Sequence, residues 1–229
     1  MGQPPITAIF ALDDRRRPAP HAAAVARRLG VTGRVPTTVY TVAHGAAEPI
    51  ELVDILGHRG GDTIMVMDAH GGGFPGDRLS DVDVETVIAA GRIPVFALGP
   101  RAATRSGPDA LVVAIDQSTS SDAALDFAVR WRNTFSPSEV VVAVLEAPSG
   151  WRETDEVDEV MVGHGLDGLV ERVITLDPCR SICETAAVLH DPVVVVAAPS
   201  SAGTSHWYST ARRLIRSARC PVVVVPNHA

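Results

Sequence analysis

The sequence predicts an α/β protein made of two tandem domains. Short apolar runs alternate with helical patterns, which is typical of parallel sheets covered by helices on both faces. This alternating pattern occurs twice along the chain. A length of 229 residues leaves room for two domains of ordinary size. We therefore expect two doubly wound, Rossmann-like domains at 1–103 and 109–229, with a Gly- and Pro-rich linker at 99–108.

An internal repeat divides the chain. Four segments of the first half resemble four of the second: 9–13 with 112–116, 36–42 with 139–145, 64–67 with 193–196, and 87–98 with 214–225. The offset is 103 for the first two pairs, and then 129 and 127. The offset rises from 103 to 127, so the second half is 24 residues longer, and the extra residues lie between its second and fourth strands.

The elements of the second half follow a β-α-β-α-β-α-β-α-β order. Buried strands have continuous aliphatic runs, whereas helices have apolar residues three and four apart. The predicted strands are 111–115, 140–145, 172–176, 193–197 and 222–225. The predicted helices are 121–133, 154–162, 180–189 and 209–217.

The first half has the same order but lacks the third strand and one helix. Its first strand runs on from Ile6, and only residues 43–62 separate its second strand from the next. That space holds a single helix, at about 50–56.

All 20 basic residues are arginine, and the chain has no lysine. Walker-type phosphate loops, Schiff-base enzymes and protein kinases each need a lysine. These three classes are excluded.

Charge and hydropathy restrict the partners and the compartment. The net charge is −7 and neither half has more arginines than acids, so we expect no nucleic acid. The longest apolar runs, such as 193–198, are far shorter than a membrane span of about 18 residues, and no secretory signal is visible. We therefore expect a cytoplasmic protein without a membrane partner.

Three cysteines should remain reduced in the cytoplasm. Cys179 and Cys183 lie one helical turn apart, so the two thiols could share a face as metal ligands. Packing in the core is the competing interpretation, and it extends to Cys220.

Two motifs make the second half similar to the universal stress protein family. Residues 113–125 resemble the family's first strand, its acidic residue, a small polar loop and an Ala-Ala-Leu helix start. Residues 212–225 resemble its basic last helix, followed by Cys-Pro and an aliphatic strand. The first half is a looser copy, so the whole chain resembles the tandem form of the family.

The resemblance implies the strand order 3-2-1-4-5 in each domain. The strand missing from the first half would then be an edge strand. In this family the last strand pairs with its counterpart in a partner domain. We expect 94–98 to pair with 221–225 inside the chain, and a homodimer is a further candidate assembly.

Nucleotide-binding members of the family carry G-x2-G-x9-G-(S/T) after the fourth strand, and the site lies where the strand order reverses. The first half keeps this spacing from Asp68 through His70 and Gly71 to Asp81 and Val82, with only the middle glycine retained. The two carboxylates would repel a triphosphate.

The corresponding loop of the second half is shorter and rich in hydroxyl groups. The candidate phosphate-binding residues are Ser200, Ser201, Gly203, Thr204, Ser209 and Thr210. An alternative interpretation makes Ser209 a helix N-cap. Asp116 matches the family's acid after the first strand, with Asp13 as its counterpart, although both could be turn residues.

A metal site is a competing hypothesis. Asp13, Asp14, Asp68, His70 and Asp81 would project from one crevice and suit Mg²⁺ or Mn²⁺. Asp81 would equally favour a helix N-terminus through the helix dipole. No hydrolase motif is present, and we assign no catalytic residue.

We expect a non-enzymatic, stress-linked or regulatory protein with degenerate nucleotide sites. The alternatives are a true binder of ATP or another adenine nucleotide, with weak ATPase activity or none, and a dimerisation scaffold without a small ligand.

Overall fold

A computed structural model describes residues 3–14, 21–42, 62–69, 84, 87–88, 93–103, 107–116, 121–146, 163, 166, 169–174, 177–198 and 206–227. At 13–14, 21, 41–42, 144–146, 169–174 and 206–209 it describes the backbone alone.

Nine strands and four helices lie in the described residues. The strands are β1 (Ala8–Asp14), β2 (Thr37–Val42), β3 (Thr63–Asp68), β4 (Val95–Leu98), β5 (Ala110–Ile115), β6 (Glu139–Glu146), β7 (Leu169–Ile174), β8 (Pro192–Ala197) and β9 (Val222–Val225). The helices are α1 (His21–Gly33), α2 (Ser121–Phe135), α3 (Pro178–Ala187) and α4 (His206–Ser217).

All nine strands form one sheet in the order β2-β1-β3-β4-β9-β8-β5-β6-β7. Within each half the neighbouring strands are parallel. The second half therefore has its third, second, first, fourth and fifth strands side by side, and the first half has its second, first, fourth and fifth. The predicted α/β class with parallel sheets is confirmed.

The halves meet at the centre of the sheet, where β4 and β9 are antiparallel. Phe96 of β4 lies opposite Val223 of β9, and these residues are counterparts in the repeat at the offset of 127. A pseudo-twofold axis therefore passes between them. Pairing β4 with β9 also protects the backbone groups of two edge strands.

Backbone hydrogen bonds repeat from one half to the other. The amide of Ala69 donates to Leu98 O at 2.8 Å, and the amide of Ala198 donates to Val225 O at 2.7 Å. The two donors are 129 residues apart and the two acceptors are 127 apart, which are the offsets of the repeat. The sequence repeat is thus a repeat of backbone structure.

The first strands match at an offset of 102, and the predicted 103 is wrong by one residue. Ala11 pairs with Val66 on the fourth strand of its half, and Val113 pairs with Val195. Because Val66 and Val195 are 129 apart, Ala11 corresponds to Val113. A slip of one residue would place every side chain of the strand on the opposite face.

The faces of the sheet show the same register. Ile9 and Leu111 belong to one hydrophobic cluster, while Phe10 and Val112 belong to the cluster on the other face. The counterpart of Asp116 is therefore Asp14, not Asp13.

Helices cover both faces of the sheet. One cluster contains Ala22, Ala26 and Leu29 of α1, which recur at helical spacing, together with the apolar face of α2. The opposite cluster contains Ile182 of α3 and Leu214 of α4. Both clusters contain residues of both halves, so on each face of the sheet the two copies share a core.

Trp131 of α2 is fully buried and joins the halves. Its indole stacks on Phe96 of β4, with ring centroids 5.8 Å apart and planes within 10°. At the offset of 102, its counterpart in α1 is Leu29. Phe135 corresponds to Gly33 in the same way, and a Cβ on Gly33 would approach the Phe135 ring to 2.6 Å.

The element predictions hold apart from a few boundaries. β7 begins at Leu169, three residues before the predicted start, and α3 spans Pro178–Ala187 instead of 180–189. α4 begins at His206 instead of 209. The predicted helices at 50–56 and 154–162 lie outside the described residues.

Candidate functional site

Each half has a crevice where its strand order reverses. β1 lies between β2 and β3, and β5 lies between β6 and β8, so the chain leaves the first strand in opposite directions on its two sides. In doubly wound sheets, ligands bind at the carboxyl ends of the two strands that flank this point. The ends of β1 and β3 define the first crevice, and the ends of β5 and β8 define the second.

Asp68 lies in the first crevice and has a described side chain. It is the last residue of β3, and its Oδ2 accepts a hydrogen bond from the Ala22 amide at 3.1 Å. Ala22 is the second residue of α1, where backbone N–H groups have no partner inside the helix. The carboxylate therefore caps α1 and lies favourably at the positive end of its dipole.

This capping bond occupies a group that a phosphate would use. Phosphates bind helix N-termini through the same unpaired amides and the same dipole. In the first crevice an internal anion, Asp68, already accepts from one of these amides. A nucleotide phosphate would have to displace the carboxylate or approach it against like charge.

The second crevice lacks this carboxylate. The counterpart of Asp68, at the offset of 129, is Ala197 at the end of β8. Ala197 is half-buried and packs against the hydrophobic core. The fourth strand of this half therefore leaves the nearby helix terminus without a capping acid.

Asp116 and Ser121 close the start of α2 instead. The hydroxyl of Ser121 donates to Asp116 Oδ1 at 3.0 Å and accepts from the Asp116 amide, also at 3.0 Å. Ser121 is the first residue of α2 and is buried. The carboxylate of Asp116 thus holds the first residue of α2 through a hydroxyl. Its role toward a nucleotide stays a prediction.

Ser121 was not among the predicted site residues. The start of its helix was predicted at the correct position, and a serine there is a typical helix-terminus residue. Its bond to Asp116 depends on the course of the intervening loop, which the residue types do not specify.

Several predicted site residues lie outside the described part of the chain. They are His70, Gly71, Asp81, Val82, Ser200, Ser201, Gly203 and Thr204. Asp13 and Asp14 end β1, and there the backbone alone is described. Ala11 of β1 pairs with Val66 of β3. Asp13 and Asp68 each follow two residues later, so their backbones lie side by side at the ends of these strands.

Ser209 is not an N-cap, so that interpretation is wrong. α4 starts at His206, which places Ser209 in the first turn of the helix. Thr210 follows it and is 7% exposed. Ala211, Leu214 and Ala218 recur at helical spacing and are buried on one face. The helix begins about one turn before the predicted start.

The metal hypothesis remains a prediction. Of its five proposed ligands, only Asp68 has a described side chain. Across the described residues, no group of three or more His, Cys, Asp or Glu side chains is arranged to hold a metal ion. In the same part of the chain, no helix is long and apolar enough to cross a membrane.

Solved structures resemble this chain over nearly its whole length. A universal stress protein from Archaeoglobus fulgidus DSM 4304 matches with a TM-score of 0.58 and 16% identity, over 96% of this chain and 88% of that one. The chain has the universal stress protein fold. A functionally unknown protein from Pseudomonas aeruginosa PAO1 matches with a TM-score of 0.56 and 12% identity, over 96% and 93% of the two chains.

Sequence comparison gives no such link: no protein-family model and no curated protein matches this chain. At 12–16% identity, the likeness to these structures shows the fold alone.

Proposed function

We propose that this chain is a non-enzymatic, stress-linked regulatory protein of the cytoplasm with degenerate nucleotide sites. The observation that carries the proposal is the hydrogen bond from the Ala22 amide to Asp68 at 3.1 Å. This bond gives the N-terminus of α1 an internal anion in place of a phosphate. The three free thiols agree with a reducing compartment.

The test compares bound and added nucleotide. Purified protein is denatured and searched for released adenine nucleotide by mass spectrometry, and the folded protein is then melted with and without ATP·Mg²⁺. A ligand at 100 times its Kd stabilises a protein by about 2.7 kcal/mol. For a chain of this length that corresponds to roughly 5–10 °C in Tm. We expect no released nucleotide and no shift in Tm.

Asp68→Asn provides the matched control. The asparagine keeps an oxygen that accepts from the Ala22 amide, but it removes the negative charge. If charge repulsion excludes nucleotide, Asp68→Asn should increase the Tm shift produced by ATP·Mg²⁺. If Asp68 instead holds a bridging Mg²⁺, wild type should show the shift and Asp68→Asn should lose it, which would contradict the proposal.

A second candidate function is nucleotide binding in the second crevice. The observation that favours it is Ala197, because the fourth strand there contributes no carboxylate. A Tm shift with ATP·Mg²⁺ in wild type that disappears in Ala197→Asp would support this function over the first. Ala197→Ser, which adds a polar group without a charge, is its control.

A dimerisation scaffold is the third alternative. The β4–β9 pair joins the two halves inside one chain, so β2 and β7 are the outer strands of the sheet in the part of the chain that the structure describes. Light scattering measures the mass in solution. A concentration-independent dimer that binds no nucleotide would favour the scaffold.

A further inference from the structure

All three cysteines of the chain lie near the seam between α3 and α4, in the second half. Cys179 and Cys183 are one turn apart on α3, and Cys220 follows α4. The hydrophobic cluster on this face contains Cys179 and Cys220, and Cys183 packs against its edge. The thiols are therefore close together without forming the three-ligand group that a metal would need.

Cys179 lies in the first turn of α3, beside the ion pair of Asp177 and Arg213. Asp177 is the N-cap and Pro178 begins the helix, so Cys179 lies among the unpaired amides of the first turn. Arg213 of α4 reaches across and pairs with Asp177 at 3.0 Å. A thiolate is favoured at a helix N-terminus and beside an arginine.

One hydrogen bond links the thiols of α3 to α4. On α3 itself, Cys179 and Cys183 are near enough for each thiol to shift the pKa of the other. Cys179 Sγ lies 3.4 Å from Ser217 Oγ, and the Ser217 hydroxyl donates to the carbonyl of Arg213. In the Cys179–Ser217 contact either group can act as the donor.

The acidities of the thiols differ in the direction that this geometry implies. The hydrogen bond from Cys183, with smaller contributions from Ser217 and Arg213, lowers the pKa of Cys179 to about 6, although burial opposes the change. The same bond and burial raise the pKa of Cys183. Burial raises the pKa of Cys220 to about 11. Cys179 is thus the thiol most readily ionised.

We propose that Cys179 and Cys183 form a reversible redox pair, which a hydroperoxide oxidises to a disulfide within α3. This inference does not depend on the proposed function of the crevices. Hydrogen peroxide is the simplest and smallest oxidant of the class, which suits Cys179 because this residue is only 4% exposed.

The reaction has two balanced steps. The Cys179 thiolate attacks one peroxide oxygen, the O–O bond breaks, and the departing hydroxide takes a proton to become water, which leaves a sulfenic acid on Cys179. The sulfur of Cys183 then attacks the sulfur of Cys179. The S–S bond forms, the S–O bond breaks, and the hydroxide leaves as water with the proton of Cys183. Two thiols and one peroxide thus give one disulfide and two waters.

The disulfide changes the first turn of α3. Cβ atoms four residues apart on a helix are about 5–6 Å apart. A disulfide brings them to about 3.8 Å, so α3 must distort to form it. Strained disulfides of this kind are readily reduced, which suits a reversible signal.

Trypsin places the three cysteines in three different peptides. The chain has no lysine, so trypsin cleaves only after its arginines. Cleavage after Arg172, Arg180, Arg212 and Arg219 places Cys179 in 173–180, Cys183 in 181–212 and Cys220 in 220–229. A disulfide within α3 therefore joins two peptides that are otherwise released separately.

The experiment treats full-length protein with hydrogen peroxide, blocks free thiols, digests the chain with trypsin and identifies the peptides by mass spectrometry. We expect 173–180 joined to 181–212, with the link removed by a dithiol reductant. Cys220 serves as the internal control, and we expect its oxidation to be at least about tenfold slower than that of Cys179. Equal oxidation of Cys220, a link to 220–229, a link between chains or no link would each overturn the proposal.

Cys183→Ala tests the order of the two steps. Its side chain is half-buried, so the substitution is milder than one at Cys179. Without the second thiol, the sulfenic acid on Cys179 should persist and be trapped by dimedone on peptide 173–180. Trapping on 220–229 instead, or no adduct at all, would contradict the assignment of Cys179 as the attacking thiol.

Discussion

The two halves of the chain share a backbone but differ in the side chains that meet at their junction. β4 and β9 pair around the pseudo-twofold axis, and α1 and α2 cover the same face on either side of it. At three counterpart positions, one of the two halves contributes a larger side chain than the other. The counterpart pairs are Phe96 and Val223, Trp131 and Leu29, and Phe135 and Gly33.

This difference makes the junction specific for two unlike halves. Phe135 packs against Gly33, where a Cβ would already approach its ring to 2.6 Å. Two copies of the second half, joined in the same way, would bring Phe135 against Phe135 in the space that Gly33 now leaves. Such overpacking is destabilising, so it acts against the wrong pairing.

Removing the largest side chain of the junction should have the largest effect. Trp131→Ala should lower the free energy of unfolding by about 3–5 kcal/mol, because it leaves a cavity under Phe96. Urea denaturation followed by circular dichroism measures the loss. Trp131→Phe, which keeps an aromatic ring, should recover more than half of it. A loss under about 1 kcal/mol for the alanine variant would show that the rings do not hold the halves together.

Filling the small side of the junction should cost less. Gly33→Ala should destabilise the protein by about 1–2 kcal/mol, because the Phe135 ring must shift, even though alanine favours a helix. In the double variant with Phe135→Leu, the cost of Gly33→Ala should be smaller, and a thermodynamic cycle of urea midpoints measures this coupling. Strictly additive costs would contradict a direct contact.

The two crevices also differ at counterpart positions, and substitutions there should change the stability less than those at the junction. Asp68→Ala removes the cap of α1 and should lower the free energy of unfolding by about 1 kcal/mol. Asp68→Asn should stay within a few tenths of a kcal/mol of wild type, since both residues cap helices well. Thermal and urea unfolding measure both variants. Equal losses in the two would mean that the charge of Asp68, not its capping bond, stabilises the fold.

The smallest effect is expected at the N-terminus of α3, a helix without a counterpart among the described residues of the first half. Arg213, and then the Arg180 amide, lower the pKa of Asp177. A carboxyl with a lowered folded-state pKa stabilises the fold above its unfolded value of 3.8, and this contribution disappears as the pH falls through the folded-state value.

Urea midpoints at about pH 5.5 and about pH 2.5 should therefore fall more in wild type than in Asp177→Asn. The difference should be small, because the Asp177–Arg213 pair is exposed to water. A larger fall in the variant than in wild type would reverse the sign and contradict the pairing.

Most of the fold could be predicted from the sequence because periodicity and repetition are local patterns. The aliphatic runs of β5, β8 and β9 specify buried strands without reference to the rest of the chain. Boundaries were less certain where polar residues continue a helix, as in the first turn of α4. The predicted offset of the first strands is one residue too long, because Asp13 and Asp14 are the same residue type and align equally well with Asp116. Only the strand pairing distinguishes the two alignments.

The site was harder to predict because its bonds join residues that are distant in sequence. Asp68 was recognised as an acid in place of a glycine, but its partner, the Ala22 amide, lies 46 residues away. Cys179 and Cys183 were recognised as sharing a helix face, whereas Arg213 and Ser217 lie on a different helix. Residue types predict which groups are present but not which of them meet.

The sequence by itself therefore determined the α/β class, the repeat, the absence of lysine chemistry and the identity of the unusual acids and thiols. The tertiary structure decided the register of the first strands, the use of Asp68 as a helix cap, and the complementary packing of Trp131 and Phe135 across the axis. The physical reason is that alternation and propensity act over a few residues. Packing and capping depend on which distant segments the sheet brings together.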